Sequence, residues 1–352
     1  YIVGLYLQDM EADTLWPQTY FAGAVNATSN FRIETETQAL YAQGTYNLTD
    51  RLSLTAGARY TQEDVTITQL SASDYFGVPG FAQSQDESFK EPSWELGLEY
   101  DVSDQVFTYL KARGSFRSGG FNGSAPPVDA TATGGGNKFD AETVQDVEAG
   151  LKLQGTVLDR PARMNIALYQ QWVEDVQRIE FPDPPGPVAS IAATANVPEM
   201  EIKGLEVEAS FMPSDWVELG FAGAYTDAEF TDGDVVLFGT QYSYSPVANT
   251  PETTWSVWGK IDFPIDPSAG ELSVRGEIYG QDSMYFSNTG NSITPDTELP
   301  SYELINARVD WKGIGGSGFS AAIFGKNLAD EEYFAGGMPL GASLGHNAGA
   351  VG

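Results

Sequence analysis

Several short stretches hold side chains suited to chemistry. The first is "GASLG", Gly341 to Gly345, a G-x-S-x-G spacing with His346 beside it. A nucleophile elbow of that spacing needs a strand before the serine, a helix after it, and an acid and a histidine further on. Here the motif sits among glycines, His346 is the only histidine, and no Asp or Glu follows. It reads as a loop, and the chain is not expected to be an enzyme. One histidine and no cysteine leave no His/Cys metal cluster. The acidic run "DAEFTDGD" (227–234) has oxygen ligands of the kind calcium takes, but not the EF-hand spacing. It reads as a solvated loop, and no metal or other cofactor is expected. What remains is capture chemistry, in which aromatic rings supply contact area and Asn or Arg supplies orientation. The candidates are Tyr75, Phe76 and Phe81, then Arg113 and Arg117, and Phe121 with Asn122 in "SGGFNG". Tyr242 and Tyr244, and Tyr285 and Phe286, complete the set. The two arginines would attract an anionic ligand. Each candidate has a plainer reading: loop-to-loop packing for the rings, pairing with Glu for the arginines.

These side chains need a scaffold, and "RLSLTAGARYTQE" (51–63) shows its character. Leu52, Leu54, Ala56, Ala58 and Tyr60 fall on one side of an extended chain, and Ser53, Thr55, Gly57, Arg59 and Thr61 on the other. Similar alternation recurs near 1–12, 34–48, 51–69, 92–102, 105–117, 142–157, 162–181, 193–212, 216–230, 253–264, 270–286, 301–312 and 318–334, which predicts 13 strands. Most are longer than the ~5–6 residues of a globular strand and long enough for the ~9–11 of a tilted membrane strand. Short turns rich in Asp, Ser, Pro and Gly, such as "NLTDR" (47–51) and "MPSDW" (212–216), alternate with long connections such as 13–33, 70–91 and 118–141. A membrane barrel has this asymmetry, with short periplasmic turns and long extracellular loops. Charges gather on one strand face, where a wet lumen can hydrate and pair them; a midplane Arg on the lipid face would cost about 2–4 kcal/mol. Tyr46, Tyr60, Trp94, Tyr100, Trp172 and Tyr225, near strand ends, suit interfacial girdles. The fold class is therefore all-β: an antiparallel, up-and-down transmembrane β-barrel.

Composition agrees. The 352 residues include 38 Gly and 12% aromatics, and only 19% are charged, below the ~25% of a soluble domain. Lys plus Arg number 18 against 49 Asp plus Glu, a net charge of −31, so no nucleic-acid partner is expected. No window approaches the ~20 apolar residues of a membrane helix, which leaves barrel strands untouched. "YIVGLYLQDM" opens without an initiator Met or a signal peptide, so the sequence reads as an internal piece of a longer chain.

Five stretches carry a family resemblance. They are "YAQGTYNLTDRLSLTAGARYTQED" (41–64), "YLKARGSFRSGGFNG" (109–123), "FDAETVQDVEAGLK" (139–152), "NVPEMEIKGLEVEASFMPSDWVELGFAGAYTDAEF" (196–230), and "YELINARVDW" with "FSAAIFGKNLADEEYF" (302–334). In this order they resemble the barrel of a TonB-dependent outer-membrane receptor. The resemblance implies a barrel of roughly 22 strands with a plugged lumen. Residues 1–352 would then be a partial barrel, starting at about the ninth strand, with the N-terminal plug, the first strands and the last strand outside it. It also implies a bacterial outer-membrane location with long loops outside, lipid around the barrel, and a TonB-type energy-coupling complex acting through the plug. The function implied is active uptake of a scarce small extracellular ligand, a ferric siderophore first. Glycan or cobalamin uptake is the alternative within the family. A passive diffusion porin, or a structural or adhesive barrel bound to other envelope proteins, is the alternative outside it.

Overall fold

The computed structural model describes residues 1–20, 25–72, 82–125, 137–180, 193–237, 240–286, 297–338 and 348–351. Thirteen strands form one antiparallel sheet in sequence order. They are β1 (Ile2–Tyr20), β2 (Val25–Asn47), β3 (Leu52–Ala72), β4 (Gln83–Ser103), β5 (Val106–Arg117), β6 (Glu142–Val157) and β7 (Arg160–Glu180), followed by β8 (Ala193–Ser214), β9 (Val217–Asp232), β10 (Thr253–Phe263), β11 (Glu271–Gln281), β12 (Tyr302–Lys312) and β13 (Ala321–Gly325). Each pairs with its sequence neighbour, as an up-and-down barrel wall requires.

The two faces have opposite chemistry. Leu40 of β2 lies opposite Tyr60 of β3, Ala58 opposite Trp94, and Leu54 opposite Leu98. These outward side chains are exposed or half-exposed, as are Leu110, Leu168, Leu205 and Phe221 further round. Only lipid makes such a surface favourable, since its burial is worth roughly 25 cal/mol per Å². From Leu52 to Tyr60 the apolar stretch of β3 is nine residues, within the ~9–11 of a tilted membrane strand. Tyr60, Trp94, Trp172 and Tyr225 mark one edge of the band and Tyr46, Tyr100, Trp216 and Trp311 the other, all of them exposed.

Past Tyr60 the same outward face turns polar. Gln62 faces Gln38, Asp64 faces Glu36, and Thr66 faces Glu34. These strands continue into water beyond the membrane. The connection expected over 13–33 is therefore mostly strand, with β1 running to Tyr20 and β2 starting at Val25, and β4 begins at Gln83 rather than 92. There the outward face is polar and the apolar side chains, Ile33, Val65 and Ile67, lie inward, so the apolar-outward alternation that marks the membrane segment stops. At the other end the last strand is shorter than the expected 318–334: β13 is Ala321–Gly325.

The short turns sit at the opposite end from the long connections. Asp266 caps a single 3₁₀ turn at Pro267–Ala269, accepting hydrogen bonds from the Ser268 amide (2.8 Å) and hydroxyl (2.7 Å). Those bonds hold its carboxyl below the usual aspartate value. Gly270 follows at φ 101°, where a Cβ would strike the Lys312 carbonyl, so only glycine fits.

Apolar burial is concentrated at the long-loop end, on the inward face. Val65 and Ile67 of β3, Phe89 of β4 and Phe121 form one cluster, with Phe31 and Ile33 packed against it. Val173, Val176, Ala195, Val197, Met200, Tyr244 and Val247 form a second.

Candidate functional site

The inward face carries paired charge. Arg113 Nη2 lies 2.6 Å from Asp146 Oδ2 and 2.9 Å from Glu148 Oε2. The Tyr109 hydroxyl donates to Glu148 at 2.6 Å. The neighbours in this ladder follow from register, since Arg113 sits opposite Asp146 and Lys111 opposite Glu148. Arg59 lies over the Tyr6 ring at 5.1 Å and donates to the Thr61 hydroxyl at 3.0 Å. Arg275 sits 4.1 Å from the Trp258 ring centre and pairs with Glu277 at 2.8 Å. A wet lumen tolerates these groups, and each ion pair offsets much of its own charge.

The sequence candidates divide by environment. Phe121 is 8% exposed and fills the first apolar cluster. Asn122 is buried beside it and clamps the chain: its amide donates to the Thr194 carbonyl at 2.8 Å and accepts from the Thr194 N–H at 2.6 Å. Asn122 therefore holds the segment after β5 against β8 as a strand partner would. Gln69 reinforces it, donating to the Gly123 and Ala125 carbonyls at 2.9 Å. Gln177 donates to the Ser118 and Asp140 carbonyls, and Asn196 reaches Asp140 and Asp175. Lys138, in the same connection, bridges Glu87 at 2.9 Å and Asp140 at 3.3 Å. Desolvation is the largest single influence on its ammonium and pulls the pKa down, but the two carboxylates together leave it raised.

Tyr244 is 2% exposed in the second cluster, edge-on to Phe230 with ring centres 5.5 Å apart. Phe286 is buried and packs on Gly337. Tyr285 is half-buried in a short hairpin of Met284–Tyr285 with Glu298–Leu299. Tyr242 pairs through its backbone with Val235, and its side chain lies outside the described residues. Tyr75, Phe76 and Phe81, and the loop of Ser343 and His346, also lie outside them. Arg113 is committed to Asp146 and Glu148, whereas Arg117, at the outer end of β5, is exposed. The acidic run at 227–234 forms the end of β9 and its continuation, and no group of metal-ligating side chains occurs among the described residues.

Two features escaped sequence reasoning. Tyr302 of β12 and Tyr333 stack with centres 4.5 Å apart, and Tyr279 of β11 lies 6.2 Å from Tyr302. All three are half-buried, and Tyr279 and Tyr302 both donate to Gln281 Oε1, at 3.0 and 3.2 Å. They make an aromatic surface beside a fixed amide at the long-loop end of the wall. The second feature is Arg178, near the outer end of β7. It lies 5.9 Å from the Phe230 ring and 3.7 Å from Met200 Sδ. Its buried Nε has no hydrogen-bond partner, and among the described residues it forms no ion pair. Strand parity was the available signal for the tyrosines. Nothing in the sequence marks Arg178.

An antiparallel wall with a lipid-facing band, aromatic girdles and a charged inner face defines a transmembrane β-barrel protein. The sequence matches the family described as TonB dependent receptor-like, beta-barrel over residues 3–328, and the chain belongs to that family. This is a family of transport receptors, found in the outer membranes of Gram-negative bacteria. The chain is 26% identical over 288 residues to the ferrichrome outer membrane transporter/phage receptor of Escherichia coli K12, spanning 81% of this chain and 33% of that protein. It is 26% identical over 289 residues to the ferrioxamine B receptor of Salmonella typhimurium SL1344, spanning 81% and 35%. Its fold is similar to that of the ferric yersiniabactin uptake receptor FyuA from Yersinia pestis, with a TM-score of 0.77 at 19% identity, covering 99% of this chain and 49% of that one. The chain thus spans about a third of these two relatives and about half of the solved receptor.

Proposed function

We propose that this chain is the barrel wall of a receptor that takes up a ferric siderophore across the outer membrane, driven by a TonB-type complex. The observation that carries the reading is its membership of a transport-receptor family whose relatives here are named for ferrichrome and ferrioxamine B. The wall suits such a ligand. A siderophore complex offers apolar or aromatic chelating arms around a polar centre, and the tyrosines 279, 302 and 333 offer matching area at low entropy cost. Coupling to the energy complex acts through a lumen-filling domain, with the long connections outside the cell. The other partners are outer-membrane lipid and, at the loops, other envelope proteins.

The test uses the full-length receptor in a strain lacking its own siderophore receptors, starved of iron. Radiolabelled hydroxamate and catecholate iron complexes are supplied one at a time, with labelled cobalamin and an oligosaccharide in parallel assays. Uptake of at least one iron complex, abolished by a protonophore, is expected. Uptake that survives the protonophore would show a passive channel instead. Uptake of cobalamin or oligosaccharide with none of the iron complexes would replace the siderophore reading by the family alternative.

A further inference from the structure

At the short-turn end the lipid-facing band is indented by a trough between β5 and β9. Its floor is made by small residues at adjacent register positions: Gly155 of β6 faces Ala162 of β7, and Ala209 of β8 lies one rung on. Its walls are large. Leu153 and Met164 stand on one side, and Phe211 and Phe221 on the other. The open cavity is about 660 Å³. Leu158, at the β6–β7 turn, closes its end and is 87% exposed.

We propose that this trough holds one acyl chain of a membrane phospholipid, in the leaflet next to the short turns. The occupant follows from position and chemistry. The trough is continuous with the outward apolar face, through Leu168, Leu205 and Phe221, so what lies against it is the hydrocarbon of the bilayer. Its outward lining is chiefly aliphatic and aromatic; the Gln105 amide lies over Gly155 at the turn end, and Gln154, Arg163 and Ser210 belong by strand alternation to the inward face. A concave apolar surface forfeits dispersion contact unless something fills it, and a chain laid along the strands recovers that contact on three sides. A convex stretch of the same band, such as Leu96 and Leu98 on β4, touches a chain on one side only. The trough chain therefore exchanges more slowly than its neighbours. This inference rests on the membrane-barrel fold alone and is independent of which solute the receptor carries.

The test places the full-length wild-type receptor in vesicles of phosphatidylethanolamine and phosphatidylglycerol containing a small fraction of phospholipid with a diazirine in one acyl chain. After illumination, labelled peptides are mapped. At least fivefold more label is expected on peptides 153–164 and 205–221 than on 92–102, an equally lipid-facing stretch. Uniform labelling of the belt would overturn the proposal. A double variant, Ala162→Leu with Ala209→Leu, fills the trough with apolar volume and should abolish the excess while leaving the label on 92–102 unchanged. An excess that survives the filling would also overturn it.

Discussion

Asn122 illustrates how the same residue type serves structure or capture according to what surrounds it. Its two bonds to Thr194 satisfy a backbone donor and acceptor that no strand partner reaches. Asn122→Ala is expected to leave both unsatisfied, at about 1–3 kcal/mol. The loss should be local, because the sheet ladders do not depend on it. Hydrogen exchange on the full-length receptor should speed up at Thr194 and through 118–125, with the global melting point little changed. Unchanged exchange at Thr194 would show that the clamp holds nothing. Phe121, Tyr244 and Phe286 share this lesson. Their types and loop positions suggested capture, and their types were legible. Their burial was not, because the side chains that cover Phe121 come from β3 and β4, 32 to 56 residues earlier by sequence. Pairing of Arg113 with Asp146 and Glu148 was legible as the plainer of two readings, since the strand faces put acids and arginines on the same side.

Strands β5 to β9 are joined by side chains as well as by their ladders. Tyr109 lies over Gly150 on the adjacent strand, and Tyr169 lies over Gly204, each ring occupying the space a Cβ would need. Such cross-strand rings restore cover to a glycine that would weaken the sheet by itself. Gly204→Ala should displace Tyr169, whose hydroxyl is 3.3 Å from that of Thr226, at about 1–3 kcal/mol. Gly276→Ala, with nothing within 4 Å of the new methyl group, should be close to neutral. Urea unfolding in micelles compares the two; equal midpoints would remove the argument. At the β10–β11 turn the sign of a pH effect can be fixed. The Asp266 carboxyl is depressed by its bonds to Ser268, so the cap's contribution is present above the unfolded value, near 3.8, and is lost as pH falls through the folded value. Exchange of the Ser268 amide should accelerate only below that range, and Asp266→Asn should flatten the dependence. The number of strands and both faces of the membrane segment were legible because lipid and lumen impose opposite demands on alternate residues. The extensions of β1, β2 and β4 were not, since beyond the membrane the outward face is polar and the apolar-outward row that identifies a membrane strand ends.

At the scale of the whole molecule the sheet has two ends. Among the described residues β1 pairs only with β2, and β13 only with β12. β1 carries Val3, Leu5 and Leu7 with most of their surface open, beside a full row of backbone donors and acceptors on its free side. In a bilayer each such unpaired group costs several kcal/mol, which is why only closed barrels and helices span membranes. In water the same edge templates association with further strands. The net charge of −31 opposes that association at long range, but it is screened beyond about 8 Å at physiological salt, while strand pairing acts at contact. We propose that strands outside residues 1–352 close the sheet. Residues 1–352 refolded alone into lipid vesicles should give oligomers with no compact, heat-modifiable monomer band on a gel, whereas the full-length receptor should give that band. Raising salt from low to physiological concentration should enlarge the oligomers, because it removes the repulsion and leaves the edges. A heat-modifiable monomer formed by these residues alone would mean that β1 and β13 can close on each other. The wall would then be a 13-strand barrel in its own right, and the argument for a larger lumen would fail.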